Sequence, residues 1–415
     1  MKRELVEGAV FVTDGDERAT LAVVRALGRA GIAVTVGNSR TTSLAGSSRY
    51  CASRVCYPSP LTDGPGFKQF LRDELSRGKY RVLIPMTDIT TWLAGEARDT
   101  ITPFVALPIP GQEEIKLAQD KREILNVAQK VGISCPRTVS VAEEEDVVAA
   151  ARDMHYPVVI KPRFSRFQRN GSWLSGGVEY AFNEQDLRSK YQRSHARIPE
   201  PLIQEKLNGE GQGVFLFVWD GELKSAFCHR RLREKPPSGG VSVYRESIPL
   251  DHNLVDKSFA LLQALRWNGV AMVEFKVDAR DGVPKLMEVN GRFWGSLQLA
   301  VDAGINFPLL LYRLACGEEV PAQFDYKAGV KSRWLLGDLD HLLIRLTHRN
   351  TGNGVPVNAE SKLKACLSFL KFYEPNLHYE VLRLDDPLPG CFEFGSYLRQ
   401  NLQSLGRKKG LPHAG

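Results

Sequence analysis

Glu288, Asn290 and Arg292 recur at every second position within residues 286–293, so an extended chain sends all three side chains out from one face. A second strand-like run, 270–277, lies just upstream and is joined to the first through Arg280-Asp281-Gly282, which suits a three-residue hairpin loop with glycine in the left-handed position. Counting outward from Asp281 puts Glu274 directly opposite Glu288. Two carboxylates facing each other among Met272, Val273, Phe275, Met287 and Val289 repel, and desolvation makes the conflict worse. A divalent cation removes it. Glutamate and asparagine oxygens suit Mg²⁺, whose octahedron is commonly completed by substrate phosphates. Arg292 offers a bidentate fork to a phosphate or acyl-phosphate oxygen. The alternatives are a proton shared between the two glutamates or an ordinary solvent-facing hairpin. Pro284 is tolerated only at an edge or at the beginning of such a strand.

The elements that must position these groups follow from periodicity. Over the first hundred residues, short apolar runs alternate with helical spacing, as in a parallel α/β layer. Residues 10–13 read as a strand, Asp14-Gly15-Asp16 as a turn, 17–30 as a helix with Leu21, Val24 and Leu27 inward, and 32–36 as a second strand after Gly31. A later strand, 82–85, leads into Thr87-Asp88. Ligands of open parallel sheets bind at carboxyl ends of strands, so Asp14 and Asp88 are candidate substrate contacts, with turn formation or helix capping as the alternative. No GxGxxG follows the first strand, which disfavours a dinucleotide site.

A boundary falls at Pro108-Ile109-Pro110-Gly111. Beyond it, Ile115, Ala118, Ile124 or Leu125, Ala128 and Val131 predict one helix, stopped by Gly132 and Pro136. A helix over about 143–153 and a strand over 158–161 follow. The runs 214–219 and 222–227 flank Asp220-Gly221, a strong hairpin signal, so the middle of the chain is antiparallel in character.

Composition narrows the function classes. The chain has 415 residues, enough for two or three domains; 43% are hydrophobic and 25% charged, as in ordinary globular proteins. No apolar run approaches membrane-spanning length, so no membrane insertion is expected, and no secretory signal pattern opens the chain, which makes the cytoplasm the expected location. The seven cysteines form no CxxC pair and indicate neither a disulfide framework nor a zinc site. The net charge of +7 fits a small anionic substrate; without a basic stripe carrying interleaved aromatics, nucleic acid is not an expected partner.

The run Met287-Glu288-Val289-Asn290-Gly291-Arg292-Phe293 resembles the magnesium-binding signature of the ATP-grasp superfamily, with Val273-Glu274-Phe275 as its upstream acid. Other segments follow in family order. Asp120-Lys121 with Gly132-Ile133 and Pro136 resembles the opening helix, 157–162 the phosphate-lysine strand, and Gln204-Glu205-Lys206-Leu207 the adenine-binding hinge. More narrowly, 229–240 and 292–298 resemble the predicted carboxylate–amine ligases, which include D-aspartate ligase-like proteins.

The resemblance implies a fold class of α/β plus α+β: a Rossmann-like pre-ATP-grasp domain at 1–111, an ATP-grasp domain of two α+β subdomains at 112–317 with its lid at about 135–207, and a C-terminal extension at 318–415 packed on the ATP-grasp domain. It implies ATP and Mg²⁺ as cofactors, with Mn²⁺ as an alternative metal, small-molecule carboxylate and amine substrates, and compatibility with a homodimer. Glu274, Glu288 and Asn290 would hold metal. Lys121, Lys161, the 204–207 hinge and the two glutamates would hold ATP, and Arg292 with Lys161 would serve catalysis. Lys161 ends an apolar strand, where a buried ammonium needs an anionic partner and a phosphate supplies one; a snorkelling lysine is the alternative. The segment 163–177, with Gly171, Gly176 and Gly177, matches a mobile phosphate lid. The basic segment 229–235 reads as a loop in which Arg231 or Arg233 binds an acceptor carboxylate or the γ-phosphate. Asp88 and Ser296 are further substrate candidates. The ribose contact is left unassigned at Glu210-Gly211-Gln212-Gly213. A non-catalytic ATP-binding regulator and a carboxylate kinase are the competing readings.

Overall fold

A computed structural model describes residues 8–141, 147–169, 172–198, 200–347 and 361–409. Near the amino terminus, β1 (Ala9–Val12), β2 (Val34–Asn38), β3 (Ser53–Cys56) and β4 (Tyr80–Ile84) form a parallel sheet in the order β3-β2-β1-β4. β1 and β2 are buried throughout, as expected when helices cover both faces of a parallel sheet. The helix Arg18–Arg29 covers one face with Leu21, Val24 and Leu27.

A second sheet contains β5 (Thr138–Ser140), β6 (Val158–Lys161), β9 (Glu179–Ala181) and β10 (Leu202–Glu205) in the order β5-β10-β6-β9. A hairpin of β7 (Phe167–Arg169) and β8 (Ser172–Leu174) stands beside it. This layer keeps its own small core around Ile160, Leu187, Tyr191 and Ile203. Between 142 and 153 the described helix is Val147–Ala150, shorter than the predicted one; residues 142–146 lie outside the described residues, as does Gly171.

The third and largest sheet runs β15-β14-β11-β12-β13-β16-β17. Its strands are β11 (Gly209–Trp219), β12 (Glu222–Lys235), β13 (Val241–Ser247), β14 (Gly269–Asp278), β15 (Pro284–Asn290), β16 (Lys331–Arg333) and β17 (Leu377–Tyr379). Asp220 and Gly221 take φ of 51° and 80° at the predicted β11–β12 turn, the left-handed pair that a two-residue hairpin requires. β16 and β17 come from the region after 318 and extend the sheet. One continuous core joins Val10, Leu21 and Ile84 of the first layer to Phe215, Phe217, Trp294 and Leu297 of the third. The opposite face of the large sheet packs Ile124, Leu125 and Ala128 against Val214, Leu216 and Phe275.

Three local expectations change. The single helix predicted after 111 is two, Gln112–Gln119 and Lys121–Lys130, because Asp120 stops the first and caps the second by accepting from the backbone N–H groups of Arg122 and Glu123. The 229–235 segment is not a loop but the end of β12. The β14–β15 connection holds four residues rather than three: Asp278 N–H donates to Val283 O at 3.0 Å, and Gly282 N–H to Asp278 O at 2.7 Å with φ of 71°. The extra residue is cancelled by a bulge, since Phe275 pairs with Leu286 while Glu274 pairs with Glu288. The facing glutamates thus arise from two opposite one-residue shifts. Pro284 opens β15, an edge strand, where its missing N–H costs nothing.

Candidate active site

A cavity of about 850 Å³ lies between the second and third sheets and reaches the carboxyl end of the first. Lys121, Lys161, Gln204, Glu205, Lys206, Leu207, Arg231, Glu274, Glu288, Asn290, Arg292 and Ser296 all line it, although they span 176 sequence positions. Asp88 borders a smaller adjoining pocket with Lys121, Glu288 and Asn290.

β14 and β15 present Glu274 and Glu288 side by side. Asn290 Nδ2 donates to Glu288 Oε1 at 3.0 Å. Burial pushes the Glu274 carboxyl up to about 7, against the pull of the Arg231 guanidinium and with the help of the Glu288 charge. Burial acts on Glu288 too, but Lys121, the Asn290 amide and Lys161 outweigh it and hold that carboxyl below its ordinary value. The lysines thus favour the Glu288 anion, while the Glu274 carboxylate depends on the Arg231 guanidinium for its counter-charge. Two carboxylates and one amide oxygen supply part of a hard-cation sphere; among the described residues no group of three or more His, Cys, Asp or Glu side chains could complete one. The donor set fits a magnesium ion whose remaining ligands come from outside the protein.

Lys161 is buried at the end of β6. Burial lowers its ammonium to about 8, with the like charge of Lys121 adding to the shift. Lys121 is placed by the helix break: its backbone N–H donates to Arg163 O at 3.0 Å, its Nζ to Ser165 Oγ at 2.6 Å, and burial lowers its pKa as well. Arg163 in turn grips Asp120 through Nη2 at 2.6 Å, so the segment after Lys161 is tied to the start of the Lys121 helix. Gln204 is buried and donates to Thr138 Oγ1 at 2.7 Å, while Glu205 is engaged by Arg280 at 2.8 Å and the Arg137 N–H at 2.9 Å. These contacts brace the 204–207 segment at the cavity wall. Lys206 lies 5.6 Å from the Tyr180 ring centroid.

Arg292 stands past the end of β15 and forks onto Asp88, with Nε and Nη2 at 2.8 and 3.0 Å from the two carboxylate oxygens. That pairing outweighs burial and lowers Asp88, so the predicted substrate contact at Asp88 is in this structure a support for Arg292. Asp14 does not line the cavity; it is half-buried, its carboxylate accepts from Tyr57 Oη, Thr13 Oγ1 and Thr90 Oγ1, and desolvation raises its pKa. Arg233 is directed away, to Asp338 at 3.2 Å and the face of Tyr244, leaving Arg231 as the member of that pair at the cavity. Ser296 is buried at its edge.

Arg18 was not among the predicted lining residues. Arg18 reaches the cavity from the first helix, held 2.5 Å from Glu380 and 3.8 Å from the Trp334 ring centroid. The turn after β1 was the available signal. His229 is buried with both ring nitrogens unpartnered, and burial with the nearby Arg231 and Arg245 charges lowers its pKa well below 6.5. The alternation Gly209, Gly211, Gly213 on β11 also has a use: a Cβ at Gly211 would lie 2.8 Å from Arg231 Cδ, so glycine lets that arginine cross β11 toward Glu274.

The three sheets have the ATP-grasp fold of the solved structures to which the chain is similar, and Lys121, Lys161 and the carboxylate hairpin line the cleft between the second and third. Residues 197–337 match the family model described as "ATP-grasp in the biosynthetic pathway with Ter operon". In sequence the chain is 25% identical over 371 residues to the carbamoyl phosphate synthase large chain of Thermotoga neapolitana, covering 83% of this chain and 32% of that one. The matches span 16–32% of the length of the curated carbamoyl phosphate synthase large chains to which it is similar. Among solved structures it is similar to biotin carboxylase from Campylobacter jejuni in its β-γ-ATP complex, at 15% identity and a TM-score of 0.63 over 78% of this chain and 74% of that one. It is likewise similar to N5-carboxyaminoimidazole ribonucleotide synthetase in its ADP complex, at 15% identity and a TM-score of 0.63 over 89% and 98%. No helix among the described residues is long and apolar enough to cross a membrane.

Proposed function

We propose that this protein is an ATP-dependent ligase that joins a small carboxylate to an amine through an acyl phosphate. The observation that carries this reading is the convergence of Lys121, Lys161, Glu274, Glu288, Asn290 and Arg292 on one cavity. In the proposed reaction a substrate carboxylate oxygen attacks the γ-phosphorus of ATP and ADP departs. The amine nitrogen then attacks the acyl carbon, loses a proton, and expels inorganic phosphate. Lys121 and Lys161 hold phosphate oxygens, and the 204–207 backbone receives the adenine edge. Glu274, Glu288 and Asn290 would hold magnesium, which when bound supplies charge neutralisation of the phosphates. Arg292, aimed by Asp88, stabilises the oxyanion that develops on the acyl carbon's oxygen. No protein nucleophile is required, and Cys228, with its thiol pushed up by burial to about 12, is not suited to be one.

The reading is tested by ADP release from ATP and Mg²⁺ across a panel of amino acids and carboxylic acids, with hydroxylamine as a trapping amine. Acid-dependent ADP release is expected, with hydroxamate reporting the acyl phosphate and, in reactions without hydroxylamine, an amide formed with an amino-acid amine reporting ligation. Acid-dependent release that gives hydroxamate in the trapping reaction but no amide with any amino acid would favour carboxylate phosphorylation; ATP binding with no release from any acid would favour the regulator reading.

The Lys161 ammonium makes a pH prediction. It is charged below about 8 and neutral above, and a bound phosphate favours the charged form. ADP affinity should therefore be level from mildly acidic to neutral pH and fall above about 8, by at most roughly tenfold per pH unit. Lys161→Met should bind more weakly at neutral pH and lose that alkaline slope in a fluorescent-nucleotide titration. A slope that survives the substitution would assign the titration to another group.

A further inference from the structure

The cation that neutralises Glu274 in this structure is a guanidinium. Arg231 Nη2 lies 2.5 Å from Glu274 Oε2, while Nη1 donates to Glu234 Oε1 at 2.8 Å and to Gly240 O at 3.1 Å. Only a tenth of the side chain is exposed, and its buried Nε has no hydrogen-bond partner. Arg231 belongs to β12 and Glu274 to β14, with β11 between them, so the arginine reaches its partner only by passing over Gly211. The glycine gap, the long side chain and the ion pair together place a positive charge on the carboxylate that faces Glu288.

We infer that Arg231 is a placeholder cation and positioning residue: it occupies Glu274 while the protein is metal-free, and a divalent ion arriving with nucleotide phosphates displaces it, turning its fork toward the phosphate oxygens. This rests on the ATP-dependent reading above. A guanidinium held on Glu274 Oε2 competes with a divalent ion for that part-buried carboxylate, because the repulsion between the two cations is weakly screened there. A metal ion alone must therefore displace Arg231 from Glu274 with only the Glu234 carboxylate and Gly240 carbonyl that it already contacts to receive it. A phosphate-bound ion brings the receiving anion along. Metal loading thereby becomes conditional on nucleotide.

The test is Mn²⁺ titration of the full chain followed by electron paramagnetic resonance, without nucleotide and with the non-hydrolysable β,γ-imido analogue of ATP. Without nucleotide, Arg231→Met should bind Mn²⁺ at least tenfold more tightly than wild type, since Glu234, Glu274 and Glu288 then lack their shared counter-charge. The analogue should tighten Mn²⁺ binding in wild type more than in the variant. Arg231→Lys, whose shorter ammonium cannot span Glu234 and Glu274, should give a smaller shift of about threefold, and serves if the methionine variant does not fold. Arg230→Met is the charge-matched control: Arg230 is held by Glu246 at 2.7 Å outside the cavity, and its loss should leave Mn²⁺ affinity within twofold. Equal or weaker nucleotide-free affinity in the folded Arg231 variants, or equal tightening in Arg230→Met, overturns the placeholder role alone, provided wild type binds Mn²⁺ with the analogue. Absence of Mn²⁺ binding in every state, analogue included, overturns the metal-dependent reading as well.

Discussion

Glu288→Gln is expected to reduce magnesium-dependent ATP turnover by about a thousandfold or more, the loss of several kcal/mol of charge stabilisation, while leaving the melting temperature and circular dichroism near wild type. The substitution is nearly isosteric, and the side chain packs beside Asn290 at the end of an edge strand rather than within an apolar core. What it removes is the anion that Lys121, Lys161 and Arg231 all face and that bears on the adjacent Glu274. The neutral amide is also a poorer ligand for a hard divalent cation. Steady-state ADP release with varied Mg²⁺ checks the expectation. A folded variant with wild-type turnover would remove Glu288, and with it the carboxylate hairpin, from the site.

The largest stability effect is expected far from the chemistry. Arg25 on the first helix and Asp386 near the C-terminus form a fully buried ion pair, Nε to Oδ2 at 2.9 Å. Asp386 also accepts from Ser48 Oγ at 2.7 Å and the Arg49 N–H at 2.8 Å, and Arg25 donates further to the carbonyls of Glu380 and Val381. Burial lowers the Arg25 pKa even against the attraction of Asp386, a sign of how costly the unpaired charge would be. Asp386→Ala should therefore destabilise the protein by about 3–5 kcal/mol, read as a lower urea midpoint. The double variant Arg25→Met, Asp386→Leu should recover much of that loss, because an apolar pair carries no stranded charge. A single-variant midpoint equal to wild type would mean that the segment around 380–386 does not fasten the first layer as described. The same segment supplies Glu380 to Arg18 and Arg245, so it also braces an arginine at the cavity.

How much of this was legible beforehand depended on distance along the chain. The β14–β15 hairpin was readable because its partners are fourteen positions apart and its strands alternate cleanly, yet even there the predicted three-residue loop was wrong. The Glu274–Glu288 pairing held because the bulge at Met287 offset the longer loop. Lys161 was readable as the end of an apolar run. The split at Asp120 was not, because the hydrophobic stripe of Ile115, Ala118, Ile124 and Ala128 runs on past Asp120, and only the capping bonds of Asp120, with Arg163 bound behind it, divide that run into two helices. Arg231 and Arg233 could not be told apart by sequence. They lie in one strand, but bulges after Arg231 disturb the two-residue alternation, and one turns to Glu274 while the other turns to Asp338.

From the sequence alone came the α/β start, the antiparallel middle, the hairpin with its two acids and amide, and the ATP-grasp resemblance. All of these rest on interactions within a few tens of residues, where period and turn chemistry govern. Only the tertiary structure decided which charges neutralise one another: Asp88 with Arg292, Arg18 with Glu380, Arg25 with Asp386, and Arg231 with Glu274 across an intervening strand. Those pairings join segments up to 362 positions apart, and no local pattern encodes them. They arise because a buried charge must find an opposite one wherever the packed layers bring it.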